Sequence, residues 1–410
     1  MKHNFTIIHD EDETGRNIGY SQLSNVRIIG RNNFYPNCLF YSENDEKIIS
    51  PYDEKIMSLN KDSFYDENEI EKIKKINEIK KIKYTQVIYP VFFFIYNFDN
   101  YYHFLYDTLP YLYTYLELKK KFFNLKLVIN KFKYKFNEDI LFKIVSEEDI
   151  IYHENNNIYK NVYISTSLTH GGFSNNPPRK EIFKIYSILK NNIELENVNN
   201  DLINKKRIYI SRRTWINNNR TNIGTDYTTR RKMINEDEFV ENLKKYNVEE
   251  IFTENLNIDE KIYLFSNAEL VIGSIGGGMA NLLFSNKNVK SFIIVTPYFL
   301  DINYRFKYSL ETSNCKYFYE TTTYKEFTNQ KYPLFCRVKI LETNKIGEID
   351  NFSNGLYLIK LSDNDVAGFS LDKNFEIKSY QKEEFKLLDS GLNSPYIVDI
   401  HKFNVEICLV

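Results

Sequence analysis

Three consecutive glycines, Gly276, Gly277 and Gly278, stand directly behind an apolar run in a chain that has only 14 glycines among 410 residues. In so glycine-poor a sequence, three together answer a local demand. The segment AELVIGSIGGGMANLLF, residues 268–284, reads as a buried strand ending at Gly273, a turn, and a helix that starts at Met279. Residues without side chains let backbone N–H groups approach a ligand, and the start of a helix favours an anion such as a phosphate. A tight strand-to-helix turn with no ligand has the same composition. No lysine follows in P-loop register, and GSIGGG is only a loose dinucleotide fingerprint.

The surrounding pattern repeats the strand-and-helix scheme. Strands are expected at 206–211 (KRIYIS), 248–253, 269–273 and 289–295, with helices at 235–246, 257–266 (capped by Asn257) and 279–285. A similar series precedes it. A strand at 87–96 feeds a helix over 100–123, short strands follow at 125–130, 150–152 and 161–165, and a helix covers 179–195. Residues 26–50 read as a small β meander, and 66–83 as a solvated amphipathic helix or linker. Beyond residue 333 the period shortens to two, in CRVKILE, GLYLIKL, GFSLD and VEICLV, which predicts a small antiparallel β module. The expected organisation is therefore α/β. Residues 1–84 join a first Rossmann-like domain at 85–203, a second spans 204–332, and the β module spans 333–410.

Two further clusters carry chemistry. Ser211, Arg212 and Arg213 leave the strand KRIYIS, with Arg220, Arg230 and Arg231 later in the same loop. In open α/β sheets ligands bind beyond the carboxyl ends of the strands, and guanidinium groups there can neutralise a diphosphate. A solvated basic loop is the plainer alternative. In the segment YYHFLYD, His103 and Asp107 are four residues apart and so share a helical face. A carboxylate beside an imidazole can fix its tautomer, so His103, or Asp107 itself, is a candidate general base; a histidine among aromatics is otherwise a core residue.

The balance of 54 Lys and Arg against 55 Asp and Glu excludes a global field that would draw the chain to nucleic acid or an anionic membrane. Cys38, Cys315, Cys336 and Cys408 lack CxxC spacing, which argues against a disulfide framework and a zinc site. The triplet Asp363, Asn364, Asp365 reads as a turn and not a metal site. The longest apolar run, 87–98, falls short of the roughly 20 residues a membrane span needs. The polar first residues lack the apolar core of a signal peptide, so a cytoplasmic protein is expected.

Taken in order and spacing, NYYHFLYDTLPYL, IYISRR, RRKMINEDEF and LVIGSIGGGMANLLF resemble glycosyltransferase family 61 over residues 85–319. The resemblance implies a GT-B fold, two facing Rossmann-like domains with the active site between them and closure as a step in assembling it. It also implies inverting transfer with no cofactor and no obligatory metal. The donor would be a nucleotide sugar, a UDP-sugar of the xylose or N-acetylglucosamine class, and the acceptor a glycan, protein or lipid-linked hydroxyl. His103 and Asp107 fall in the family's first-domain position. Ser211, Arg212, Arg213, Arg231, Asn235 and Glu236 fall in its arginine-rich segments, and Gly273, Ser274, Gly276, Gly277, Gly278 and Asn281 in its glycine turn. Ile275 stands where the family usually has a histidine, and Gly277 where it more often has alanine. Two rivals follow. One is a nucleotide-sugar-binding protein without catalysis, motivated by Ile275; the other is a nicotinamide-dependent oxidoreductase, which the arginine loop disfavours.

Overall fold

The computed structural model describes residues 4–29, 39–42, 47–48, 84–95, 100–132, 134–169, 177–213, 233–296, 305–312, 315–323, 332, 337–362, 376–387 and 396–409. They fall into two compact units, Met1–Ile193 and Glu194–Val410. The stretch 66–83, Arg220, Arg230, Arg231 and the triplet Asp363, Asn364, Asp365 lie outside the described residues.

The first unit is built on one mixed sheet. Strands β1 (Asn4–His9), β2 (Ile18–Ile29), β3 (Leu39–Ser42) and β4 (Lys47–Ile48) form an antiparallel meander that begins earlier than the expected residue 26. Strands β5 (Thr85–Phe93), β6 (Lys126–Ile129), β7 (Ile150–Tyr152) and β8 (Asn157–Ser165) follow, and the main sheet path runs β4-β3-β2-β8-β5-β6-β7. The β8-β5-β6-β7 part is parallel, and β2 joins it antiparallel to β8. Val91, Phe92 and Phe93 of β5 are fully buried, as the unbroken apolar run of a strand covered on both faces requires. The helix Ile182–Asn191 buries Ile182, Ile185, Tyr186 and Leu189, one face at helical spacing.

The expected continuous helix at 100–123 is instead a composite. An α turn at Tyr101–His103 passes into a π turn at Phe104–Thr108, a 3-10 turn at Leu109–Tyr111 and an α-helix at Leu112–Lys119. Pro110 supplies the cause: it has no N–H to return to Tyr106, and its ring crowds that carbonyl. The widened turn closes instead through Leu109 N–H to Phe104 O, and the helix Ile182–Asn191 braces it by Tyr186 Oη donating to Leu105 O at 2.6 Å.

The second unit holds a sheet of β9 (Arg207–Ile210), β10 (Glu249–Ile251), β11 (Leu270–Ser274), β12 (Lys290–Ile294) and β13 (Cys315–Phe318), all parallel, in the order β10-β9-β11-β12-β13. This is a doubly wound order, with its reversal between β9 and β11. The helix Ile258–Asn267 starts at the expected cap: Asn257 accepts from Glu260 N–H at 2.9 Å while the Glu260 carboxylate accepts from Asn257 N–H at 2.8 Å. The segment Gly277–Phe284 winds as a 3-10 helix and not the expected α-helix. Asn281 Nδ2 donates to Gly278 O at 2.8 Å, taking the carbonyl that an α-helical Leu282 N–H would use.

Beyond this sheet come β14 (Thr321–Thr323), the module strands β15 (Arg337–Ile340), β16 (Ile346–Ser353), β17 (Leu356–Ser362), β18 (Glu376–Tyr380) and β19 (Phe385–Leu387), and then β20 (Tyr396–Val398). The module is antiparallel in the order β18-β17-β16-β15-β19, with its own core of Val338, Ile340, Ile349, Tyr357, Ile359, Leu361, Phe385 and Leu387. The chain then returns. β20 pairs with β14, and the helix Ile400–Ile407 occupies part of what VEICLV led us to expect as a strand. Its Phe403 is fully buried edge-on against Phe239, Phe292 and Phe318, with ring centroids 4.7, 5.0 and 5.6 Å away. The last segment is thus core of the parallel-sheet layer. Phe403→Ala is expected to remove about 3–5 kcal/mol from the unfolding free energy, read from urea denaturation. Among the described residues no helix is long and apolar enough to cross a membrane.

Candidate active site

In the second unit the strand-order reversal brings together the residues that leave β9 and β11. Ser211 and Arg212 follow β9 directly, and Arg212 Nη1 donates to Ile275 O at 3.4 Å, just before the glycines. An added Cβ on Gly276 would fall inside the Arg212 guanidinium. Gly276 has an extended backbone that any residue adopts, so its lack of a side chain is explained by the arginine lying against it. Gly273 and Gly278 are likewise packed, the first against Met279 and the second with Ile210 Cγ2 2.7 Å from where its Cβ would stand. Gly277 differs. Among the described residues nothing lies within 4 Å of a Cβ placed there, so neither their packing nor its dihedral angle accounts for it. A ligand approaching the turn would.

Glu236 organises the other side. Its Oε1 accepts from Tyr209 Oη at 2.9 Å, Ser211 Oγ at 3.0 Å and Arg212 N–H at 3.0 Å, with only 2% of the residue exposed. Burial raises its pKa against the lowering effect of those three donors, and burial lowers that of Arg212. Arg212 is 9% exposed, so a cation is held in a desolvated setting where an anion gains most from it.

Other expected members make contacts within the fold. Arg213 forks onto Glu250 at 2.5 and 2.6 Å and also meets Asp237, and Glu250 is the main cause of its raised pKa. Both faces of the guanidinium fork are thereby engaged within the fold. Asn235 Nδ2 donates to Val398 O at 2.9 Å and its Oδ1 accepts from Val398 N–H at 3.1 Å, a strand-like clamp on β20. Ser274 Oγ is hydrogen-bonded to Tyr396 Oη, while Tyr396 O accepts from Ile234 N–H at 2.8 Å. Tyr396 therefore ties the residues before Glu236 to the residue before the glycine turn. Sequence reasoning missed it because it lies 122 positions from Ser274. Asn281 buttresses the turn from within, and Arg231 lies outside the described residues.

The first unit has its own reversal, between β5 and β8, and His103 and Asp107 follow β5. Asn100 Oδ1 caps the turn by accepting from His103 N–H at 3.2 Å. His103 Nδ1 meets Asp107 Oδ2 at 2.5 Å, with the carboxylate buried and the imidazole partly exposed. Thr169, which follows β8, donates from Oγ1 to Asp107 Oδ1 at 3.4 Å. Both carboxylate oxygens are thereby oriented. With Nδ1–H directed at Asp107, the basic lone pair resides on Nε2. Thr169 was not foreseen; its signal was its place just beyond a strand end at the reversal. Among the described residues no group of three or more His, Cys, Asp or Glu is arranged to hold a metal ion.

Each cluster by itself offers one chemical function: an oriented base in the first unit, and a desolvated cation beside backbone amides, suited to a phosphate, in the second. Residues 101–292 match the family model described as Glycosyltransferase 61, and no curated protein matches the chain. The matched span opens at Tyr101, beside His103, and closes in β12, so it contains His103, Asp107, Arg212, Glu236 and the glycine turn. The match over this span supports membership of glycosyltransferase family 61.

Proposed function

We propose that this glycosyltransferase is an inverting, metal-independent enzyme of the GT-B type. It transfers a sugar of the xylose or N-acetylglucosamine class from a UDP-sugar to a hydroxyl of a glycan or protein acceptor. The observation that carries this reading is Arg212, a buried cation lying against Gly276 at the β9/β11 reversal, beside a glycine that the packing of the described residues does not require. His103 Nε2 removes the acceptor proton as the acceptor oxygen bonds to the anomeric carbon. The carbon–oxygen bond to the diphosphate breaks on the opposite face, which inverts the centre. Asp107 stabilises the imidazolium that forms, and Arg212 with the turn amides takes up the charge on the departing diphosphate. These groups supply the positive potential that a metal provides in other transferases.

A thermal-shift comparison with UDP, GDP, CMP, ADP and NAD tests the reading. A nucleoside diphosphate at a hundredfold excess over its Kd is expected to raise the melting temperature by about 5–10 °C, with the shift and the transfer activity retained in excess EDTA. Stabilisation by NAD alone would overturn it, and strict dependence on manganese would remove the metal-free mechanism. The buried Ile275, in place of a histidine that the family resemblance implied, motivates the second reading, a protein that binds nucleotide sugar without transferring it. Nucleotide binding with no transfer or hydrolysis would favour that one.

A further inference from the structure

Buried side-chain polar atoms nearly always have a hydrogen-bond partner, because an unmade bond leaves the full desolvation penalty standing. Thr296 Oγ1 and Glu236 Oε2 are two of the buried atoms among the described residues that have none. Each residue is 2% exposed. Both belong to the carboxyl edge of the sheet in the second unit. Glu236 is fixed there by the three hydrogen bonds to its other oxygen, from the residues at the end of β9.

Thr296 stands two residues beyond β12. Its surroundings are well held: Ile275 N–H donates to Ile294 O at 3.4 Å, so the β11–β12 ladder continues into the glycine turn beside it. On the other side Val295 N–H donates to Phe318 O at 2.9 Å, and Val295 O accepts from Thr321 Oγ1 at 2.7 Å. A rigid backbone therefore delivers a hydroxyl to the sheet edge without supplying its partner. Strand alternation gives Thr296 the side of the sheet that holds Phe292 and Ile294, which pack in one core with Phe239 and Leu243 of the helix that Glu236 begins.

The chemistry of the two atoms restricts what satisfies them. A carboxylate oxygen only accepts, whereas a hydroxyl both donates and accepts. A phosphate oxygen is repelled by a Glu236 carboxylate, so the partner there is a donor, and a hydroxyl group is one that suits both atoms. We propose that Thr296 Oγ1 and Glu236 Oε2 bind hydroxyl groups of the donor, on its ribose or its transferred sugar, next to the phosphate position formed by Arg212 and the turn amides. This rests on the reading of the site as one for a nucleoside diphosphate sugar. Phosphate-complementary and hydroxyl-complementary groups on one sheet edge then select a nucleotide sugar over a bare phosphate.

Calorimetric titration of the full chain, its Thr296→Val variant and its Thr296→Ser variant with pyrophosphate, UDP, GDP, UDP-N-acetylglucosamine and GDP-mannose provides the test. Thr296→Val keeps the shape and removes an unsatisfied hydroxyl, so its ligand-free melting temperature is expected to stay level or rise. Its affinity for the nucleotide sugar that wild type binds is expected to fall about tenfold, with pyrophosphate unaffected and Thr296→Ser close to wild type. A loss already present with the nucleoside diphosphate assigns the ribose, and one seen only with the nucleotide sugar assigns the sugar. Wild-type affinity in Thr296→Val overturns this proposal alone. Failure of wild type to bind any nucleotide probe overturns the parent reading and this one with it.

Discussion

Replacing Asp107 by asparagine is expected to slow sugar transfer by about three to four orders of magnitude and to leave donor affinity within about twofold. The buried carboxylate accepts from His103 Nδ1 at 2.5 Å, which keeps the lone pair on Nε2. An asparagine turned to donate to Nδ1 would move the proton to Nε2 and leave the imidazole unable to accept one. It would also lack the charge that stabilises the imidazolium. The geometry should survive, since the substitution is isosteric and Thr169 can still donate to the side-chain oxygen. Single-turnover transfer rates alongside nucleotide titration separate the two effects. A transfer rate within tenfold of wild type would remove the pair from the mechanism.

Alanine at Gly276 and at Gly277 should give opposite pictures of the same turn. At Gly276 the new methyl would overlap the Arg212 guanidinium, so the arginine or the turn must shift. A loss of at least about a hundredfold in nucleoside diphosphate affinity is expected, the scale on which removal of a charge-assisted contact in a desolvated site is felt. The ligand-free protein should also melt earlier. At Gly277 the methyl meets no atom of the described residues within 4 Å. The ligand-free melting temperature should therefore hold or rise slightly, as loss of glycine restricts the unfolded chain. Any loss of affinity there reports a ligand in the space the methyl enters. Undiminished binding in the Gly276 variant would dissociate Arg212 from the diphosphate.

Much of the parallel-sheet framework was legible because strand and helix periodicities are local. The apolar runs at β5, β9, β11 and β12, the Asn257 cap and the glycine turn all follow from residues within a few positions of each other. Departures occurred where a neighbour at short range changed the hydrogen bonding. Pro110 converted the expected helix into a π and 3-10 composite, and the Asn281 amide converted another into a 3-10 turn. Long-range pairing was not legible. Nothing around Arg213 announces that Glu250 and Asp237 engage its fork, and nothing in VEICLV announces that Phe403 has a ring-lined core to enter. Alternating apolar residues in a short terminal stretch suit a half-buried helix as well as a strand. Thr169, Tyr396 and Thr296 escaped notice for the same reason: each becomes meaningful only once strand order fixes which chain ends meet.

The β14–β20 pairing sets Thr323 opposite Tyr396, so everything from 324 to 395 takes the place that a tight turn has in an ordinary hairpin. The five-stranded module is thus a detour whose exit and entrance adjoin. Chain length at that point is a free variable: a short turn joining 323 to 396 would delete the module and still deliver Tyr396 to Ser274 and Phe403 to its ring pocket. The module's own core of Val338, Ile359, Leu387 and their neighbours makes it equally separable from the other side. Removal of the module would thus leave the two chain ends already in register for the β14–β20 pairing.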